Sequence, residues 1–247
     1  MGLSETCATI SGVASQTEAP AGVDATAASS EPLIGEARWP PVAALLVFMA
    51  LNIAVRVWLR GQGAVHIPWL LPAIEGVLLV VLLAGAAGDR GQRTRWLRRV
   101  AWVLVLIGIV AALWATGLLV YDLIKGIGVT NSPSKLLASG ALVWLGNNLM
   151  FALLYWLMDS GGPVARTRDP SPVDFAFTQQ MSPELAPPSW RPVFLDYLHL
   201  GFTNATAFSP TDVMPLTHRA KYTMIVQSTV ALALFGLIVA RAVNAFT

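Results

Sequence analysis

The residues whose types could do chemistry crowd into one stretch, Trp190 to Thr217, with the sequence WRPVFLDYLHLGFTNATAFSPTDVMPLT. Thr203, Asn204, Thr206, Ser209, Thr211 and Asp212 place hydroxyl, amide and carboxylate oxygens at short intervals along it. Oxygens of that kind are what a pathway through a membrane offers a partly dehydrated solute. Ser209-Pro210-Thr211-Asp212 reads as a turn that Ser209 can cap, with proline next and an acid three residues on. Phe194 to Thr206 reads as an amphipathic helix carrying Asp196, His199 and Thr203. Asp196 and His199 are three apart on it, but neither a nucleophile nor a third group to orient them accompanies the pair, so no enzyme is expected. One cysteine and three scattered histidines form no metal-ligand pattern, and no cofactor is expected.

A second polar set lies among apolar residues. Asn52 and Arg56, four apart, share one helix face, and Glu75 falls near the same depth on the next apolar stretch. Arg56 either pairs with Glu75 or snorkels alone to the headgroups, leaving Glu75 interfacial. Asn147, Asn148 and Gln227-Ser228-Thr229 are central in their stretches, where side-chain amides want partners on neighbouring helices; Gly146 and Gly236 would let such helices come close.

The elements that must position these groups are apolar helices. Of 247 residues, 55% are hydrophobic and only 12% charged, and the mean hydropathy is +0.61. A soluble domain could not dress its surface from that composition, so the chain reads as an all-α integral membrane protein. The basic residues are spread over loops rather than massed on one face, which excludes a nucleic-acid footprint and leaves the lipid bilayer as the evident partner. Residues 1–38 form a polar, acidic tail with too few large apolar side chains to pack, and it lacks the basic start of a secretory signal. Residues 39–158 hold four expected transmembrane helices, at about 40–59, 67–87, 100–121 and 136–158 by the length needed to cross the hydrocarbon. A Pro-rich polar loop follows at 159–190, containing Asp-Ser-Gly-Gly-Pro and Asp-Phe-Ala-Phe. Residues 191–217 are too polar and too broken by proline for a crossing and read as a re-entrant helix and turn. The last transmembrane helix occupies 218–247, opened by Thr217 as N-cap. About five spans and one re-entrant segment result. The Arg-rich loop at 88–99 then faces the cytoplasm by the positive-inside rule, as do the N-terminus and the 159–190 loop, in what would be a bacterial inner membrane.

The stretch Thr206-Ala-Phe-Ser-Pro-Thr-Asp212, with Pro215 beyond it and Arg219-Ala220-Lys221 opening the next helix, resembles the filter region of the two-helix pore domain of bacterial potassium channels. Thr206, Asp212 and Pro215 match that pattern. Ser209 and Thr211 stand where the filter has glycines, and Pro210 fixes its own φ, so the resemblance implies a pore loop without a potassium-type ring of carbonyls. Residues from about 140 onward, with Phe151-Ala-Leu-Leu-Tyr-Trp156 and Phe202-Thr-Asn-Ala-Thr-Ala-Phe-Ser-Pro-Thr-Asp212, also resemble a family of uncharacterised bacterial multi-span membrane proteins. That second resemblance implies no activity. The pore-domain resemblance implies a homo-oligomer, four copies in that family, with permeation along Thr203, Asn204, Thr206, Ser209, Thr211 and Asp212. The alternative expectation is a non-conducting scaffold that binds partners through its Arg-rich and Pro-rich cytoplasmic loops.

Overall fold

The structure is a computed structural model, and it describes residues 39–58, 73–77, 79–81, 93–126, 133–166, 173–206 and 212–246. These residues are mostly helical. The elements are α1 (Trp39–Trp58), α2 (Arg93–Lys125), α3 (Pro133–Met158), a 3-10 turn (Asp159–Gly161), α4 (Pro163–Arg166), β1 (Phe175–Phe177), α5 (Thr178–Met181), a second 3-10 turn (Pro183–Leu185), α6 (Phe194–Thr206), β2 (Val213–Pro215) and α7 (His218–Phe246). Residues 73–77 and 79–81 are also helical, and they are the described part of the expected second span. Prolines at the first turns of α1 and α3 sit where the missing N–H would have had no helical acceptor.

Among the described residues, three helices are long and apolar enough to cross a membrane: Trp96–Lys125, Ser134–Gly161 and His218–Ala240. The share buried inside the protein differs among them, 61% for the middle one against 39% and 22% for the other two. That ranking makes α3 the hub, with α1, α2, α6 and α7 packed around it. Small residues and oriented amides lie where the helices come together. Gly146 lies against the ring of Phe48 on α1, with 3.4 Å between that ring and where a Cβ would stand. Gly236, expected to serve likewise, has nothing within 4 Å of that position and faces outward. Asn147 Nδ2 donates to Thr116 Oγ1 at 2.7 Å, tying α3 to α2.

The 159–190 segment carries more structure than a polar surface loop would. α3 ends in a turn with three successive positive φ values, Ser160 (50°), Gly161 (74°) and Gly162 (97°), closed by the Gly162 N–H on Asp159 O at 2.8 Å. Glycines carry two of these positions without steric cost. β1 pairs antiparallel with β2, Phe175 opposite Pro215 and Phe177 opposite Val213. Two strands of three residues would not hold alone in water. Their aromatic side chains supply the rest: Phe175 packs edge-on to Tyr155 at 5.2 Å, and Phe177 edge-on to Tyr197 at 5.3 Å. The described residues 159–166 and 173–190 therefore form a cap over one end of α3, α6 and α7, with Phe175 and Phe177 buried in it.

Candidate functional site: the inserted helix and its two anchors

α6 is held at two levels. At the first, Asp159 and Asp174, both fully buried, organise the cap. Asp159 Oδ1 accepts the backbone N–H groups of Asp174 (2.8 Å) and Phe175 (3.2 Å), while Oδ2 accepts the Tyr197 hydroxyl at 2.5 Å. Arg166 donates to Tyr197 Oη (2.8 Å) and to the carbonyls of Trp156 and Asp159, lies 3.7 Å from the Asp159 carboxylate, and stacks 4.9 Å over the Tyr197 ring. Asp174 takes a two-point bond from Arg219, at 2.6 Å through Nε and 2.5 Å through Nη2, and a third from Thr217 Oγ1. Leu216 N–H donates to Asp174 O at 2.8 Å. Thr217 also accepts the Ala220 N–H at 3.3 Å, as an N-cap should. The first turn of α6, the cap and the start of α7 are thus joined at one level.

At the second level an amide network joins α6, α7 and α3. Gln227 Oε1 accepts Asn204 Nδ2 at 2.8 Å and the Tyr155 hydroxyl at 2.6 Å; its Nε2 donates to Gly201 O at 2.9 Å. Asn204 Nδ2 also donates to Met224 O (3.1 Å), and Ser228 Oγ donates to Asn204 Oδ1 (3.1 Å). Gln227 is nine residues beyond His218, about 13 Å along α7 at ~1.5 Å per residue. Asn204 is seven beyond Tyr197, about 10 Å along α6 by the same rise. The two helices therefore run side by side in one direction, from the cap into the apolar part of α7. Gly201 makes this approach feasible: a Cβ there would lie 2.9 Å from Asn148 Oδ1 on α3.

Beyond Thr206 the chain comes back. Asp212 is already at the cap, where its carbonyl accepts Thr178 N–H (3.2 Å) and Oγ1 (2.8 Å), and its carboxylate lies 3.2 Å from His199 Nδ1 near the middle of α6. The described residues on both sides of 207–211 thus put entry and exit of the element at the same end of the bundle.

The expected pathway residues separate on this frame. Asn204 is buried and turned into its own chain, committed to Gln227, Met224 and Ser228, which corrects the expectation that it lines a pathway. Thr203 and Thr206 return their hydroxyls to carbonyls of α6, His199 O at 3.0 Å and Phe202 O at 2.8 Å. The Thr206 side chain is nevertheless exposed, and Asp212 and His199 remain 42% and 59% exposed. Ser209 and Thr211 lie outside the described residues. Asp196 begins α6, accepting the Val193 N–H at 2.7 Å, half of a capping box. Burial raises its pKa above the ordinary carboxylate value, against the opposing pull of that N–H and of His199.

In the other polar set, Glu75 is buried in a crevice with Leu45, Phe48, Met49, Leu79 and Leu104, packed between α1 and α2. Asn52 is half-buried on α1, and the Arg56 side chain lies outside the described residues. Among the described residues no group of three His, Cys, Asp or Glu is placed to hold a metal ion. Asp159, Asp174, Arg166 and Tyr155 are further polar residues of the site that no motif marks in the sequence. For the two acids the sequence signal is a neighbouring glycine or aromatic residue in a segment otherwise short of apolar content, and for Arg166 and Tyr155 there is none.

No family model, no curated protein and no solved structure matches this chain.

Proposed function

We propose that this chain is a multi-pass membrane protein that permits permeation at contacts between copies, with α6 and its return segment as the pore-loop-like module. The observation that carries the reading is the insertion of α6 beside α7 down to the Asn204–Gln227 level, with Asp212 back at the cap. Polar backbone is brought into a membrane at a cost, and is kept there where it lines a cavity or is covered by protein. In this reading five helices cross the bilayer, the N-terminus is cytoplasmic, and four copies assemble as the pore-domain resemblance implies. Thr206, Ser209, Thr211 and Asp212 face the shared pathway, while Asn204 fixes the frame. The residues departing from a potassium filter, Ser209 to Thr211, leave the permeant species open to a wider range than potassium.

Purified protein in sealed liposomes tests this directly. Ion flux above that of empty liposomes, altered by Asp212→Asn, is the expected result. Absence of flux from correctly folded, assembled protein, in wild type and variant alike, would sink it. A second reading, a non-conducting scaffold, draws support from one observation: the Asn204 amide network closes its hydrogen bonds inside one copy. It would be favoured by the flux-negative result.

A further inference from the structure

We infer that the end of the bundle around the 159–166 turn is a docking site for an anionic phospholipid headgroup, gripped by Arg98 and Arg191. The argument begins from how the charges at this end are used. Asp159 is consumed by two backbone N–H groups, the Tyr197 hydroxyl and Arg166. Asp174 is consumed by Arg219 and Thr217. Both acids are fully buried, so neither presents its charge to the surface.

Arg166 and Arg219 are thereby matched, but two further cations of the same region are not. Arg98, in the first turns of α2, is exposed, and its Nη2 comes within 3.4 Å of where a Cβ on Gly161 would be. Arg191, ahead of α6, is exposed and donates through Nη1 to Arg166 O at 3.2 Å. Two guanidinium groups from distant parts of the chain thus flank the short helix α4, Arg98 at the turn that precedes it and Arg191 at its last residue. Among the described residues neither forms an ion pair. Glu184, the exposed acid of the cap, is not ion-paired to either.

The position selects the occupant. Gly161 is the last residue of one apolar helix long enough to cross a membrane, and Arg98 is three residues inside the start of another, Trp96–Lys125. Exposed arginines at such a boundary lie at headgroup depth, where a phosphate diester is the anion at hand and the planar guanidinium matches its two oxygens. Gly161 leaves room beside Arg98 that a side chain would fill. Capping of the α3 carbonyls by Arg98 would account for that arginine alone. It would not bring Arg191 to the other end of the same short helix, nor would it distinguish one lipid from another.

The test is lipid selectivity of the full-length protein. Detergent-solubilised protein is titrated with short-chain phosphatidylglycerol and separately with phosphatidylcholine, following bound lipid by native mass spectrometry. Wild type should retain phosphatidylglycerol in preference, and Arg98→Gln/Arg191→Gln should weaken that retention about thirtyfold, at roughly fivefold per arginine. Arg98→Lys/Arg191→Lys should recover part of it, and Lys135→Gln, at the start of α3, should change nothing. Equal retention of the two lipids, or a glutamine double variant that binds like wild type, would overturn the inference. So would displacement of the lipid by millimolar inorganic phosphate with equal protection, which would mark a free-phosphate site. Unfolding of the glutamine variant is read separately from its melting curve, and the lysine pair then carries the comparison.

Discussion

Asn204 and Gln227 meet at 2.8 Å, one on an inserted helix and the other about 13 Å along the helix that follows it. Tyr155 completes the triangle from α3 through the same Gln227 oxygen. Gln227 therefore fixes one of the two levels at which α6 is held and the face it turns to α3 and α7.

Gln227→Leu removes the shared acceptor and strands the Tyr155 hydroxyl, at a cost of about 1–3 kcal/mol. Thermal unfolding in detergent should fall accordingly. Thr229→Val is the contrast, since that exposed hydroxyl bonds only to Ile225 O of its own helix at 2.8 Å, and it should be close to neutral.

Asp159 and Arg166 should behave as one unit. Losing either partner leaves a buried charge without its counter-ion, so Asp159→Ala and Arg166→Met should each cost roughly 3 kcal/mol or more. Their double variant should cost clearly less than the sum in a double-mutant cycle. His199 and Asp212 pair at 3.2 Å but are largely exposed, and His199→Gln should cost no more than about 1 kcal/mol. A larger loss there would mean that the pair is covered in the assembled protein.

Gly201→Val should be worse than its volume suggests. A Cβ already stands 2.9 Å from Asn148 Oδ1, and the branched side chain must push α6 from α3 and pull Asn204 off Gln227. We expect a loss of about 1–3 kcal/mol with weakened protection of α6 in amide exchange. Gly236→Val, on an open surface, should leave α6 protection unchanged.

Asp196 gives a pH dependence. Burial raises its folded pKa, so in the window above the ordinary carboxylate value the folded state binds more protons than the unfolded one. Stability from this group is present at low pH and lost as pH rises through the raised pKa. The melting temperature of wild type minus that of Asp196→Asn should therefore increase on going from about pH 7 to about pH 4. A decrease would reverse the sign argued here.

The helices long and apolar enough to cross a membrane were legible because they depend on composition and length alone. The α6 helix was legible from its amphipathic pattern, while Asp196 and Asn204, poor tenants of a lipid-facing crossing, set it apart from the long apolar helices. The amides were legible as interhelical glue in kind, and Asn147 and Gln227 do bond across helices, but their partners were not. The burial of Asn204 is not legible in the sequence, because oxygen content along a segment says nothing about which way each side chain turns. Asp159 and Asp174 were illegible for another reason. Their partners, Tyr197, Thr217 and Arg219, are tens of residues away, and a proline-rich, polar segment hides the few aromatic residues that let it fold. The count of crossings was read from hydropathy, and three of the helices meet the length and composition for it.

The central claim is that 191–217 enters and leaves on one side. In a Cys7→Ser background, single cysteines at Ser189 and Leu216, both exposed, bracket the element. A membrane-impermeant maleimide applied to sealed, oriented vesicles should label both from the same face and neither from the other. Labelling of the two positions from opposite faces would mean that the segment crosses the bilayer, and would contradict the account.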